Sequence, residues 1–300
     1  MNETRSEKSL GLIFGLSAYI LWGLFPLYWP LLKPSSAYEI VAHRAVWTLA
    51  FCLIVLAFHK KLRHTVAQLK KPKIFFGLLA TSALISVNWI VYIWATNSGH
   101  VVEASLGYYI NPLVIIAFGV LLLKEKMRVG QWIAVGIATT GVAVLTIDYG
   151  RLPWIALALA FSWGSYGVIK KLLGLGALEG LTIETMLSFI PYATFLLILQ
   201  HNGTGQFGHH VGLTILLVSA GAITAIPLLL FNGSTTRLPY TIIGLLQYIT
   251  PTIQFSIGVW VRHEDMPAAR WIGFVIIWCA LVALAVDLVR SSRAVDNSVA

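Results

Sequence analysis

A block near the middle of the chain recurs without a gap 139 residues later, and this repeat limits the possible folds more than any other feature. The residues shared by the two copies are Tyr109 and Tyr248, Ile110 and Ile249, Pro112 and Pro251, Gly119 and Gly258, Glu125 and Glu264, Met127 and Met266, Trp132 and Trp271, and Ile133 and Ile272. Trp22 and Gly23 return as Trp163 and Gly164 after 141 residues, so the register slips by two between early and late helices of each half. The repeat predicts two copies of one structural unit.

Apolar composition places both copies in a membrane. The chain is 58% hydrophobic and 11% charged, whereas soluble domains are about 25% charged. A helix that spans the hydrocarbon core needs about 20 apolar residues. We predict an all-α integral membrane protein with two five-helix repeats at 8–147 and 152–290, followed by a tail at 291–300. The ten predicted helices are 10–32, 38–58, 73–95, 101–123, 129–147, 152–170, 180–200, 212–232, 238–260 and 269–289.

Basic residues in the loops predict the orientation, because cytoplasmic loops are enriched in Lys and Arg. With the N-terminus in the cytoplasm, 16 basic residues fall inside and 4 outside, and Arg44 is the only Lys or Arg well inside a predicted helix. Five helices per half is an odd number, so the second repeat enters the membrane from the opposite side. We therefore predict inverted repeats, with both termini in the cytoplasm. Two halves built in this way can exchange conformations, which gives inward-open and outward-open states of similar energy.

Several longer motifs resemble those of one membrane protein family. They are EIVAHRAVW (39–47), NWIVYIWATNSGHVVEASLGYYINPL (88–113), GLTIET (180–185) and TRLPYTIIGLLQYITPTIQF (236–255). These strings are similar to those of the RarD family, in the EamA branch of the drug/metabolite transporter (DMT) superfamily. The resemblance covers about residues 8–290 and implies ten helices in two EamA repeats, a bacterial inner-membrane location and solute transport, with export as one direction. It implies no particular substrate.

Two central prolines indicate where the bundle opens. Pro112 lies about 11 residues into the fourth predicted helix and Pro251 about 13 residues into the ninth. Proline removes a helical hydrogen bond, and a carbonyl freed at membrane depth must face protein or water. Amides and aromatic rings share these faces, which predicts a central cavity; kinks that improve packing are the alternative, and core packing is an equal alternative for the tryptophans. The predicted cavity residues are Trp22, Asn88, Tyr92, Tyr108, Asn111, Pro112, Trp163, Gln247, Tyr248, Pro251 and Gln254.

Ionisable residues inside the apolar stretches are few, because a charge at the bilayer centre costs about 2.5–3.5 kcal/mol on insertion scales. Three readings of Arg44 are open: an ion pair with Glu39 or Glu103, a contact with an anionic group of a substrate, or snorkelling to the interface. Glu103 and Glu184 are candidate proton carriers, since desolvation favours the protonated carboxyl. The predicted gating or coupling residues are Glu39, His43, Arg44, Glu103 and Glu184. Glu125 and Glu264 are expected to cap the following helix or to pair with arginine.

Motifs separate the remaining function classes. A nucleotide-binding signature GxxxxGK[ST] is absent from the sequence, so an ion or solute gradient would supply the energy. HExxH and paired aspartates are absent as well, so we predict no enzyme activity and no catalytic residues. A secondary transporter for a small organic metabolite or drug-like solute is the main prediction, and a channel or facilitator is the alternative. The expected partners are the solute, membrane lipid and a coupled proton, with no cofactor, metal or nucleic acid, in a monomer or homodimer.

Overall fold

The computed structural model describes residues 2–123, 128–235, 237–238 and 246–299, and the regular structure in these ranges is helical. Ten described helices have eight or more residues, and we label them α1 to α10. They are α1 (Asn2–Gly23), α2 (Ala37–Phe58), α3 (Pro72–Asn97), α4 (Val101–Leu123), α5 (Val129–Tyr149), α6 (Trp154–Leu173), α7 (Ala177–His201), α8 (Val211–Thr235), α9 (Ile249–Ser256) and α10 (Ala268–Val299). Residues 124–127 and 239–245 lie outside the described ranges. Glu125 is among them, so its predicted role stays a prediction.

Seven helical segments among the described residues are long and apolar enough to cross a membrane. They lie at α1, α2, α3, α5, α7, α8 and α10. The prediction of an all-α, multi-pass membrane protein is therefore confirmed in its coarse form. The ten-span count stays a prediction.

Three helices differ from the prediction by more than a few residues, and the first of them, α1, begins at Asn2 rather than at residue 10. α1 ends at Gly23, and short helical turns at Phe25–Tyr28 and Trp29–Leu32 follow it, each with a proline in its first turn, where the missing N–H costs nothing. α10 continues to Val299, through the predicted tail, where the sequence has no Gly or Pro to stop it.

The ninth predicted helix is the third correction. The described chain is helical at Leu246, turns at 247–248 and becomes helical again at Ile249, so Pro251 stands in the first turn of α9. The prediction that Pro251 lies about 13 residues inside a continuous helix was therefore wrong. Proline is well tolerated in a first turn, since that N–H has no intrahelical partner. Pro112, in contrast, lies inside α4 as predicted.

Equivalent helices of the two halves make equivalent packing contacts. The main packed pairs are α5 with α10, α4 and α3 with α6, α1 and α2 with α8, α2 with α7, α1 with α9, and α4 with α9. If each helix of one half is exchanged for its counterpart five helices later, α3–α6 becomes α8–α1 and α4–α6 becomes α9–α1. Both of these partners are packed in the structure, and the pairs α2–α7, α4–α9 and α5–α10 map onto themselves.

Ion pairs fix the direction of α5 against α10. Arg128, just before α5, binds Asp287 late in α10 at 2.6 Å, and Arg270 at the start of α10 binds Asp148 near the end of α5 at 2.9 Å. The two aspartates are 139 residues apart, which is the spacing of the repeat. These two helices therefore run in opposite directions and are joined at both ends.

Glu264 joins α9 to α4. Its carboxylate accepts hydrogen bonds from the backbone N–H groups of Val101, at 2.5 Å, and Val102, at 2.8 Å, in the first turn of α4. A carboxylate there satisfies two otherwise unpaired donors and is favoured by the helix dipole. The expectation that Glu264 caps the following helix was wrong: it caps a helix of the other half. The segment that follows α9 therefore lies beside the beginning of α4.

Candidate functional site

Arg44 lies in the second turn of α2 and is buried, with 5% of its surface exposed. Its Nε donates a hydrogen bond of 2.8 Å to the Thr224 hydroxyl on α8. The guanidinium carbon lies 4.0 Å from the ring centre of Trp89, 4.8 Å from that of Trp29 and 5.7 Å from that of Phe25. We call these five residues the arginine site. Aromatic faces attract a cation, and they do so most strongly where water is excluded.

The two carboxylates expected to pair with Arg44 are engaged elsewhere. Glu103 binds Arg151 at 2.8 Å and accepts a hydrogen bond of 3.1 Å from the backbone of Ile155. Glu39 accepts a hydrogen bond of 2.6 Å from the backbone N–H of Gln206. The predicted ion pair is therefore not formed, and the burial of the guanidinium is also inconsistent with snorkelling. Of the three readings, contact with an anionic group of a substrate fits the geometry best.

Tyrosine side chains complete the surroundings of the arginine site. Those within electrostatic range of the guanidinium are Tyr28, Tyr92, Tyr108 and Tyr192, from four different parts of the fold. Tyr92 and Tyr108 meet edge to face with 5.6 Å between ring centres. The buried hydroxyl of Tyr92 has no hydrogen-bond partner among the described residues. A buried polar group usually has a partner, so this hydroxyl is available to a ligand.

The unpaired charge is the chemically significant feature. In the described part of the chain no acidic side chain forms an ion pair with Arg44. Moving a single ion from water into a protein interior costs several kcal/mol, and cation–π contacts return about 2 kcal/mol at a desolvated site. The charge of Arg44 is therefore only partly compensated by its protein neighbours, and an anion bound there would contact a guanidinium that is already desolvated.

The predicted cavity residues divide into two groups. Tyr92 and Tyr108 lie with the arginine site, and Asn88 is on α3 beside Trp89, where its amide donates to the Leu159 carbonyl at 3.2 Å. Among the others, Gln254 connects two helices. The amide of Gln254 donates to the Trp22 carbonyl at 3.1 Å, which ties α9 to α1.

Some predicted residues retain unused polar atoms or pack on other rings. The side-chain oxygens of Asn111 and Gln254 are buried without a partner among the described residues. Trp163 stacks on Tyr166, with 5.4 Å between ring centres. Pro112 and Pro251 are buried, whereas Gln247 and Tyr248 are half-buried in the turn before α9.

Glu184 forms a second buried centre away from Arg44. Its carboxylate accepts hydrogen bonds from Thr81 on α3 at 2.7 Å and from Tyr166 on α6 at 3.2 Å. Lys170 on α6 completes an ion pair at 3.0 Å. One acidic group therefore holds three helices together through a lysine and two hydroxyls.

Sequence reasoning missed several residues of these centres. Trp29 and Trp89 stand in ordinary apolar stretches, and nothing in the sequence marks them as contacts of Arg44. Lys170 and Arg151, the partners of Glu184 and Glu103, stand at or near the ends of predicted helices, where the sequence shows only their contribution to the orientation. Lys170 and Glu184 are 14 residues apart in the sequence, and Arg151 and Glu103 are 48 apart. Only the three-dimensional fold shows that they pair.

Comparison with known proteins gives consistent results. The model of the EamA-like transporter family matches residues 9–147. Protein RarD of Streptomyces exfoliatus is 49% identical over 97% of this chain and 93% of its own length. The uncharacterized transporter YojE of Bacillus subtilis is 43% identical over 96% of this chain and 98% of its own. Protein RarD of Escherichia coli is 37% identical over 94% of this chain and 96% of its own.

One solved structure shares the fold. It superposes with a TM-score of 0.59 at 17% identity and covers 94% of this chain and 98% of its own chain. At that identity the likeness concerns the arrangement of helices alone.

Proposed function

Because the chain belongs to the RarD family of EamA-like transporters in the drug/metabolite transporter superfamily, we propose that it is a secondary-active transporter for a small organic anion. Arg44 carries this proposal: it is buried, enclosed by aromatic rings and without a carboxylate partner in the described part of the chain. The substrate binds at the arginine site and is exposed alternately to the two sides of the membrane.

The chemistry of the arginine site narrows the substrate class. A guanidinium presents a planar fork of donors that fits a carboxylate in a bidentate manner. Trp89, Trp29 and Phe25 supply apolar faces around it. A carboxylate attached to an aromatic or other apolar body satisfies both features, and aromatic acids and amino acids are of this kind.

Alternating access rests on the relation between the two halves. The packing pairs are preserved when the halves are exchanged, and the counterparts α5 and α10 run antiparallel through their paired arginines and aspartates. The segment that follows α9 also lies at the beginning of α4. These contacts support inverted repeats with a pseudo-twofold axis, in which one state becomes the other when the halves swap conformations.

Two ion pairs are suited to act as gates. Arg151 and Glu103 join the start of α4 to the segment before α6, and Lys170 and Glu184 join α6 to α7. In the proposed orientation these pairs lie toward opposite sides of the membrane, with both chain termini in the cytoplasm of a bacterial inner membrane. Protonation of Glu184 would weaken its bond to Lys170, which would couple proton entry to opening of that gate.

A binding experiment tests the substrate class. Purified protein is screened by thermal shift against aromatic and aliphatic carboxylates, each paired with its neutral amide. The proposal predicts stabilisation by carboxylates and little by the amides in the wild type, loss of this difference in Arg44→Gln, and no change in the exposed control Arg290→Gln. If amides stabilise the wild type as well as carboxylates do, the assignment of an anionic substrate is wrong.

A channel is the second candidate, and it would use the same buried site as a pore element. A carrier alone shows trans-stimulation, in which substrate on one side accelerates movement from the other. Counterflow in proteoliposomes therefore separates the two.

A further inference from the structure

A cavity lies between α2 and α7, and none of the five residues of the arginine site lines it. Its volume is about 310 Å³, and we call it the α2–α7 cavity. It is lined by Glu39, His43, Val46, Phe189, Ala193, Leu196, Leu197, Gln200, Gly205 and Phe207. Arg44 does not line it, because that side chain is directed at Thr224 and Trp89 on other helices. The proposed transport site therefore leaves this cavity unexplained.

His43 contributes two unused polar atoms to the cavity. The residue is 95% buried, since 5% of its surface is exposed, and both ring nitrogens lack a hydrogen-bond partner among the described residues. Phe207 covers one face of the imidazole, with 4.7 Å between ring centres. A buried polar group left unpaired costs about 1–3 kcal/mol of desolvation, so a ligand that bonds to this ring removes a penalty already present.

Glu39 contributes a negative charge to the same end of the cavity. It is 2% exposed, and one carboxylate oxygen accepts the backbone N–H of Gln206 at 2.6 Å. No lysine, arginine or histidine among the described residues pairs with it. Glu39 and His43 are four residues apart and therefore on one face of α2.

Apart from Gln200, the rest of the cavity lining carries no polar side chain, and the cavity is open to the surface. Phe189, Ala193, Leu196 and Leu197 of α7 form one wall. Phe189 and Leu197 are also exposed on the outer surface of α7, so the wall is continuous with the apolar face that the helix presents outward. A ligand would reach the cavity with an apolar body along α7 and a polar head at α2.

We propose that the α2–α7 cavity binds a single-chain alkylammonium ion. The ammonium group donates one hydrogen bond to the carboxylate of Glu39 and another to a ring nitrogen of His43, while the alkyl chain lies along Phe189 and Leu197. An ammonium carries donors only, and it therefore complements a carboxylate and an imidazole acceptor. A carboxylate head would be repelled by Glu39, and an alcohol would satisfy the hydrogen bonds without the charge. The site does not depend on the transport role of Arg44.

Three probes with one tail test this proposal: octylammonium, octanoate and 1-octanol. Their binding is measured by titration calorimetry on the whole protein in phosphatidylcholine nanodiscs, with heats from empty nanodiscs subtracted. Phosphatidylcholine is chosen because its quaternary ammonium has no N–H to donate. We expect octylammonium to bind at least tenfold more tightly than 1-octanol, since hydrogen bonds to a charged partner contribute about tenfold or more in affinity. Octanoate should show no saturable binding in Arg44→Gln, in which the proposed carboxylate site at Arg44 is absent.

Two pairs of variants locate the site. Glu39→Gln should lower octylammonium affinity at least tenfold and leave 1-octanol unchanged, while Glu7→Gln, at an exposed acid, should change neither. Ala193→Phe should fill the cavity and abolish saturable binding, while Ile190→Phe, at a residue of α7 that is 73% exposed and does not line the cavity, should preserve it. Equal binding of all three probes to Arg44→Gln, or octylammonium binding that survives Ala193→Phe, would overturn the proposal. If phosphatidylethanolamine competes with octylammonium, the occupant is a lipid headgroup, and the proposal of a single-chain amine is wrong.

Discussion

Replacing Arg44 with methionine separates a ligand-binding arginine from a structural one. Methionine has a similar length and the same helix propensity, but it carries no charge. The change removes one hydrogen bond from a charged donor to Thr224, worth about 1.5–3 kcal/mol, and cation–π contacts worth about 2 kcal/mol. It also removes a buried, unpaired charge whose desolvation costs several kcal/mol. Thr224 keeps its bond to the Ala220 carbonyl at 2.8 Å and is not left unpaired.

These opposing contributions nearly cancel, so we expect the free energy of unfolding to change by less than about 2 kcal/mol. For a chain of this size that corresponds to a melting temperature within roughly 4 °C of the wild type. Transport in proteoliposomes should be lost in the same variant. Arg44→Lys should keep part of the activity, because a point charge replaces the planar fork.

Arg270→Met is the matched control for that variant. Arg270 is also a helical arginine beside an aromatic ring, 4.4 Å from Tyr149, but it binds the largely buried Asp148 at 2.9 Å. Breaking a buried pair by removing one partner costs about 3–5 kcal/mol, so the melting temperature should fall by more than roughly 6 °C. If Arg44→Met destabilises the protein as much as Arg270→Met does, Arg44 is structural and the reasoning is refuted.

Three further predictions follow from single contacts. Glu264→Ala should remove about 1 kcal/mol of capping energy and speed hydrogen exchange in the first turn of α4; unchanged exchange there would contradict the cap. Glu184→Gln keeps the side-chain shape but loses the charge that pairs with Lys170, so substrate exchange should persist while proton-driven accumulation stops; intact accumulation would exclude Glu184 as the coupling group. Gly221→Ala should lower the melting temperature by more than 4 °C, since a Cβ would overlap the backbone of α2, whereas Gly167→Ala meets no neighbouring atom and should be neutral. Equal melting of both glycine variants would disprove the close approach.

The helical framework was predictable because it depends on local composition. Apolar stretches of membrane-crossing length fix where helices form, and most observed bounds agree with the predicted ones within a few residues. The ninth helix failed because one proline was treated as a mid-helix kink, although Pro251 is equally suited to a first turn. Local pattern alone does not distinguish these two positions.

The site was only partly predictable, because its partners come from distant parts of the chain. Arg44 stood out as the single basic residue within an apolar stretch, which is a local signal. Its neighbours Trp89 and Thr224 are 45 and 180 residues away and carry no mark in the sequence. For the same reason Glu103 was assigned to Arg44, whereas the fold brings Arg151 to it.

Counterflow is the most direct test of the central claim, that this chain is a carrier for an organic anion bound at Arg44. Proteoliposomes are loaded with an unlabelled carboxylate found in the thermal-shift screen, and uptake of the labelled compound is followed. We predict severalfold faster uptake into loaded than into empty vesicles for the wild type, and no difference for Arg44→Gln. Uptake by the wild type that is independent of internal substrate would contradict the account.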